Sequence, residues 1–207
     1  MTNSLCTKKE KCTESQKEAA VHFKGPLLIV AGPGAGKTRV LVERVAYLVK
    51  RKSINPENIL VITFTVKAAE ELKSRLSHCI GPEVKSMQVS TIHSFCHEIL
   101  QEYSDFHEFG ATFDVLDEEM QLMFIRGNYY KLGLKNLIKM GKLTEIVQFF
   151  NKCGENCISP LDLGGYLKKR YPDNEKYQSF CQAYKKYLDL LEDERKIDFP
   201  GLQQEVL

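Results

Sequence analysis

The sequence predicts an α/β fold built on a parallel sheet, followed by an all-α portion. Three observations carry this. The apolar runs Leu27-Leu28-Ile29-Val30, Ile59-Leu60-Val61-Ile62-Thr63-Phe64 and Met87-Gln88-Val89-Ser90-Thr91-Ile92 are each followed by a helical pattern. Such alternation, with connections of this length, implies right-handed crossovers between parallel strands. A glycine-rich turn, Gly32-Pro33-Gly34-Ala35-Gly36, separates the first run from its helix. From Glu118 onwards the pattern is helical and the strand signal is gone.

Each element has a local cause. Residues 1–12 are polar and expected to be loose. Thr13 caps a helix reaching to about His22, and Gln16 can close a capping box. Gly25-Pro26 stops it, and Leu27–Val30 reads as a buried strand. The next helix begins at the glycine-rich turn and runs to about Arg51, with Val40, Leu41, Val45 and Leu48 on its apolar face. Asn55-Pro56 turns the chain into Ile59–Phe64, a continuous apolar strand of the kind covered on both faces. A helix from Thr65 to about His78 buries Ala68, Ala69, Leu72 and Leu76, and Gly81-Pro82 breaks it. The third strand, Met87–Ile92, leads into a helix from Ser94 to about Tyr103.

The character changes near Ser104. Ser159-Pro160 is a helix start, and Pro172-Asp173-Asn174 separates two helices. In the last helix Tyr177, Phe180, Cys181, Tyr184, Tyr187, Leu188 and Leu191 follow i, i+3, i+4, i+7 spacing. These aromatics read as core in preference to a base-stacking platform. Ile197-Asp198-Phe199 would then return the chain to the first domain.

Composition excludes little. The chain has 207 residues, 43% of them hydrophobic, and a net charge of +2, which argues neither for nor against nucleic acid. Seven scattered cysteines suit reduced thiols in a cytosol better than a disulfide frame. Cys153-x-x-x-Cys157 with Cys181 is a faint metal suggestion, lacking a second close pair or a nearby His. The N-terminus has no apolar signal core, and no apolar run approaches the ~20 residues of a membrane span.

The chemistry concentrates at Ala31-Gly32-Pro33-Gly34-Ala35-Gly36-Lys37-Thr38, which is the P-loop pattern with Ala31 in place of its first Gly. Glycines let the backbone turn sharply and approach a phosphate. Their N–H groups, and those opening the next helix, form an anion cradle aligned with the helix dipole. Lys37 supplies a point charge for β- and γ-phosphates, and the Thr38 hydroxyl is placed to bind Mg²⁺.

Three further blocks lie in order around this loop: Thr13-Glu14-Ser15-Gln16, Thr63-Phe64-Thr65-Val66-Lys67-Ala68-Ala69, and Ser90-Thr91-Ile92-His93-Ser94-Phe95. Together with the loop they resemble the Q motif and motifs I, Ia and Ib of UvrD/Rep-like superfamily-1 DNA helicases. Phe113-Asp114-Val115-Leu116-Asp117-Glu118-Glu119 and Ile197-Asp198-Phe199 resemble the start of that family's helical 1B insertion and the return from it. The resemblance implies an N-terminal fragment with a RecA-like P-loop NTPase sheet and an inserted all-α subdomain. It divides the chain into domain 1A at 1–104, insertion 1B at 105–195 and a return to 1A at 196–207.

What the resemblance implies for the site follows block by block. Nucleotide binding falls on Gln16, Ala31, Gly32, Pro33, Gly34, Ala35, Gly36, Lys37, Thr38 and Arg39, with Lys37 and Thr38 catalytic and Thr38 the metal ligand. Gln16 would read adenine, although the capping box competes for its amide. Single-stranded DNA would be met by Thr63, Phe64, Thr65, Lys67, Thr91, His93 and Ser94. Phe64 could instead be a buried strand end, and His93 a core histidine beside a Ser94 cap. Val66 stands where the family usually has Asn.

The acidic pair that holds Mg²⁺ and activates water has no match. Asp117-Glu118 is nearest, but Asp117 reads better as a helix cap with Glu118 and Glu119 in the first turn. The resemblance therefore implies the ATP- and strand-binding part of a cytoplasmic, monomeric 3′ to 5′ helicase of repair or replication. This part would be inactive in hydrolysis by itself, and its remaining helicase domains lie outside the chain. A stand-alone nucleotide- and DNA-binding module is the alternative. A P-loop small-molecule kinase would need an Arg-rich lid, and the helical half offers only Arg126, Arg170 and Arg195.

Overall fold

The computed structural model describes residues 12–106, 110, 112–171 and 177–207. The expectations for residues 1–11 and for Pro172-Asp173-Asn174 fall outside them. The described residues are mostly helical, with two small parallel sheets of two strands each. The chain divides into two compact units, Met1–Ile92 and His93–Leu207.

In the first unit, helix α1 (Glu14–Val21) carries the full capping box at Thr13 and Gln16. The Arg44 guanidinium, on helix α2 (Lys37–Lys52), donates to the Ala19 carbonyl at 3.2 Å and to the His22 carbonyl. Strand β1 (Leu60–Thr63) pairs in parallel with β2 (Gln88–Thr91), in register from Leu60 opposite Gln88 to Thr63 opposite Thr91. Helix α3 (Val66–Ile80), capped by the Thr65 hydroxyl, makes the crossover. Val45 and Ala46 of α2, Val61 of β1, Leu72 and Leu76 of α3 and Val89 of β2 form the core. The apolar faces expected for α2 and α3 thus meet on one side of the pair.

Two strand expectations need correction. Leu27–Val30 is not a buried strand: it has no ladder partner among the described residues, and Leu28 and Val30 are 86% and 87% exposed. A strand exists only through its neighbours' hydrogen bonds, and an apolar run without them gains neither pairing nor cover. Likewise β1 is covered on one face. Val61 is buried, while Leu60 and Ile62 remain exposed.

The second unit opens within helix α4 (Ile92–Glu102), which starts two residues before the expected Ser94. Strand β3 (Asp114–Leu116) follows, then helices α5 (Glu118–Gly127), α6 (Leu143–Glu155), α7 (Pro160–Arg170) and α8 (Tyr177–Asp193). Strand β4 (Lys196–Asp198) and the short helix α9 (Phe199–Gln204) complete it. Asp117 caps α5 by accepting from the Met120 N–H at 2.8 Å, and Ser159 caps α7, both as expected. The aromatic spacing of α8 is core packing. Tyr184 and Tyr187 are buried, and the Tyr187 ring stacks on Phe150 of α6 at 4.9 Å between centroids.

The β3–β4 pair was not expected, because Asp114 interrupts an already short apolar run. Its parallel register sets Val115 opposite Ile197 and Leu116 opposite Asp198. This pairing carries the Asp198 carboxylate into the helical core, where it is 5% exposed. Tyr187 donates its hydroxyl to Asp198 Oδ2 at 2.8 Å, and the Gly201 N–H donates to Oδ1 at 2.8 Å. The Gln121 amide donates to the Tyr187 hydroxyl at 2.9 Å and to Asn151 Oδ1 at 2.7 Å. Burial outweighs these bonds and raises the Asp198 pKa above the ordinary carboxylate value.

Candidate functional site

The glycine-rich turn joins the Leu27–Val30 run to α2. Residues 31–36 are not helical, and α2 begins only at Lys37. Gly34 and Gly36 have φ of +74° and +83°, a region that costs an L side chain strain. At Gly36 a Cβ would also lie 3.0 Å from the Gln16 amide nitrogen, so a side chain there would have to displace that amide as well as bear the strain. Gly36 occupies the N-cap position of α2, with the Val40 N–H bonded to its carbonyl at 3.0 Å. The Ala35 N–H is bonded to the Gly32 carbonyl at 3.3 Å, while the N–H groups of Lys37 and Thr38 precede the first helical acceptor of α2.

Lys37 folds back over this turn. Its ammonium donates to the carbonyls of Ala31 at 2.7 Å and Gly32 at 3.0 Å. Both bonds are exposed, so a phosphate oxygen can compete for the ammonium without breaking the core. Thr38 sits exposed beside Lys37, and Arg39 follows in the same first turn of α2.

Gln16 joins α1 to the loop. Its Oε1 accepts from the Thr13 N–H at 3.0 Å, and its Nε2 donates to the Ala35 carbonyl at 3.0 Å. A primary amide has two N–H donors and two acceptor lone pairs. The capping box and the loop contact together take one of each. One donor and one acceptor are left, the pair that an adenine edge requires.

The strand-contact candidates of the first unit cluster at the paired ends of β1 and β2, where Thr63 lies opposite Thr91. Phe64 is 99% exposed, which removes the reading of it as a buried strand end. Thr63 donates its hydroxyl to the Thr65 carbonyl at 3.1 Å, holding the turn that lifts Phe64 off the sheet. Lys67 is exposed on the first turn of α3. Thr91 is the least accessible of the set, at 7%.

His93 and Ser94 belong to the second unit, on the first turn of α4. His93 is half-buried and stacks on Phe199 with centroids 4.2 Å apart and rings 17° from parallel. Its Nε2 lies 3.0 Å from the amide nitrogen of Gln203. His93, His97, Glu98, Val115, Phe199 and Leu202 line a cleft of about 290 Å³. Burial lowers the His93 pKa below its ordinary value. Sequence reasoning missed Gln203, which stands 110 residues from His93 and lies in no motif.

The sequence profile of the UvrD/REP helicase N-terminal domain matches residues 12–207. The chain belongs to that family. The UvrD/REP match spans both units, from the capping box of α1 to the last described residue. Among relatives, the ATP-dependent DNA helicase PcrA of Bacillus subtilis (strain 168) is 46% identical over 112 residues, 54% of this chain and 15% of PcrA. The ATP-dependent DNA helicase Rep of Buchnera aphidicola subsp. Acyrthosiphon pisum is 32% identical over 189 residues, 91% of this chain and 28% of Rep. PcrA of Staphylococcus epidermidis matches at 46% over 111 residues, again 15% of its length. This UvrD/REP domain thus spans less than a third of each of these curated relatives.

Proposed function

We propose that this chain is the ATP- and single-stranded-DNA-binding part of an ATP-dependent DNA helicase. The observation that carries the reading is the turn at residues 31–36, with Lys37 held over the Ala31 and Gly32 carbonyls and α2 starting behind it. In this reading the N–H groups of the turn and of the start of α2 grip the β- and γ-phosphates, and Lys37 exchanges its carbonyl partners for phosphate oxygens. Gln16 reads adenine with its remaining donor and acceptor. Mg²⁺, which neutralises charge on the phosphates in P-loop enzymes, would be held by Thr38.

The finer assignments extend the same reading. The β1–α3–β2 crossover is the part of a RecA-like sheet that these residues supply, with domain 1A at 1–104 and 196–207 and the helical insertion 1B at 105–195. Turnover and 3′ to 5′ translocation belong to the longer protein, in repair or replication in the cytoplasm, with this chain acting as a monomer. Asp117 does not substitute for a catalytic acid, since its carboxylate is committed to the α5 cap.

The test is a pair of binding measurements. A fluorescent ATP analogue and a labelled single-stranded oligonucleotide are titrated into the chain, and into Phe64→Ala. Base–aromatic stacking adds about 1–3 kcal/mol per base. Phe64→Ala should therefore weaken DNA binding by about tenfold or more, with nucleotide binding unchanged. Because Phe64 is 99% exposed, its melting temperature should stay at the wild-type value. Affinity for DNA should also fall steeply with salt. Unchanged DNA affinity in the variant, with nucleotide binding intact, would refute the strand-binding role.

A further inference from the structure

We propose that Gln203 is a positioning residue that holds His93 as the neutral Nδ1–H tautomer, leaving Nδ1 as the ring's donor toward a nucleic-acid phosphate. The inference rests on the strand-binding reading above for its second half only. The first half rests on geometry. The two atoms in contact are both nitrogens, Gln203 Nε2 and His93 Nε2, 3.0 Å apart. With the amide oriented as assigned, its nitrogen toward the ring, Gln203 donates and the ring nitrogen accepts. A neutral imidazole that accepts at Nε2 carries its proton on Nδ1.

Phe199 completes the clamp. Its ring lies nearly parallel to the imidazole at 4.2 Å, so His93 is fixed in plane by stacking and in rotation by the amide. Phe199 and Gln203 both come from α9, whose start is pinned by the Asp198 carboxylate. Burial favours the neutral ring that the tautomer requires. The charged and titratable neighbours are His97 and Glu98 in the same cleft. The Asp198 carboxylate is turned to Gly201 and Tyr187. Random orientation of a surface histidine would leave both tautomers populated and the donor direction undefined. The α9 clamp removes that freedom before any strand arrives.

The measurement is histidine NMR on the chain labelled with ¹⁵N and ¹³C. There are five histidines, and His93→Gln identifies the signals of interest. In the wild type, His93 should show a protonated Nδ1, an unprotonated Nε2 and a pKa below that of a free histidine. Gln203→Glu replaces the donor by a carboxylate that accepts from Nε2–H, so it should reverse the tautomer and raise the pKa. Gln203→Leu should let the ring revert toward Nε2–H. It should also weaken single-stranded DNA binding by about two- to tenfold, the usual worth of one hydrogen bond. A residue that merely supported the fold would move the melting temperature and leave the tautomer alone. If Gln203→Leu fails to fold, the near-isosteric Gln203→Glu still decides the matter.

Two results overturn the proposal. One is a wild-type His93 protonated at Nε2, or a Gln203→Glu variant with tautomer and pKa unmoved. The other is the stated tautomer with DNA affinity unchanged in both Gln203→Leu and His93→Gln. Failure of the strand-binding reading itself looks different: the wild type then binds no DNA, whatever its tautomer.

Discussion

Lys37→Ala is expected to lower ATP affinity by about ten- to a hundredfold. A hydrogen bond to a charged group contributes about 1.5–3 kcal/mol, and each 1.4 kcal/mol is a factor of ten. The loss should fall on binding alone. The ammonium bonds only the exposed carbonyls of Ala31 and Gly32, and no core side chain depends on it. The melting temperature without nucleotide should therefore match the wild type. The stabilisation that ATP gives to the wild type should disappear in the variant. Lys37→Arg should recover only part of the affinity. A planar guanidinium keeps the charge but not the compact shape that fits over the turn. An affinity within twofold of wild type in Lys37→Ala, measured by calorimetry, would show that the turn does not hold phosphates through Lys37.

The second large effect concerns Asp198. Asp198→Ala should cost the second unit about 2–4 kcal/mol. Loss of the α9 cap contributes about 1 kcal/mol. The orphaned Tyr187 hydroxyl and Gln121 amide add about 1–3 kcal/mol. Urea unfolding followed by tyrosine near-ultraviolet circular dichroism reads this directly, since Tyr184 and Tyr187 are buried in the same core and the chain has no Trp. The pH dependence has a definite sign. The folded pKa of Asp198 is raised above the unfolded value of 3.8 by burial. Its protonated form therefore favours the folded state. That contribution is complete below the unfolded pKa and is lost as pH rises through the folded one. Asp198→Asn is neutral throughout. Its stability relative to wild type should rise with pH across that window and then level off. A difference that stays flat, or that falls as pH rises, would mean that the carboxylate is better solvated than its 5% exposure implies.

Local causes were legible in the sequence, and long-range ones were not. The capping box at Thr13 and Gln16, the caps at Asp117 and Ser159, and the start of α2 behind Gly36 all depend on residues within four positions of each other. Helix periodicity likewise placed Leu72 and Leu76, and Tyr184 and Tyr187, in their cores. Leu27–Val30 misled because apolarity reports a preference for cover, whereas a strand also needs a partner at ladder distance. The three-residue β3 and β4 were hidden for the same reason, with their partners about eighty residues away in sequence. Gln121 reads in sequence as the polar side of α5, and only the fold brings it to Tyr187 and Asp198. In the candidate site, the glycine-rich turn and the Lys37 that opens α2 were legible as a pattern. The Gln16 bond to Ala35 and the Gln203 bond to His93 were not, since a glutamine amide carries no motif of its own.

The exposed run at Leu27–Val30 has a consequence for how the protein meets proteases. A protease cleft accepts its substrate as an unpaired, extended backbone, and exposed segments of that kind are cut first. Leu28 and Val30 lie outside any helix or strand and offer exposed apolar side chains that subsites favour. Brief treatment with chymotrypsin or thermolysin should therefore nick the chain between Phe23 and Ala31 before any helix is touched. The two pieces should stay together under native conditions. Arg44 spans the cut, its guanidinium on the Ala19 and His22 carbonyls of the shorter piece and its backbone in α2 of the longer one. The Gln16 amide makes a second tie, to Ala35. Denaturing electrophoresis should then show two fragments where native size exclusion shows a single peak.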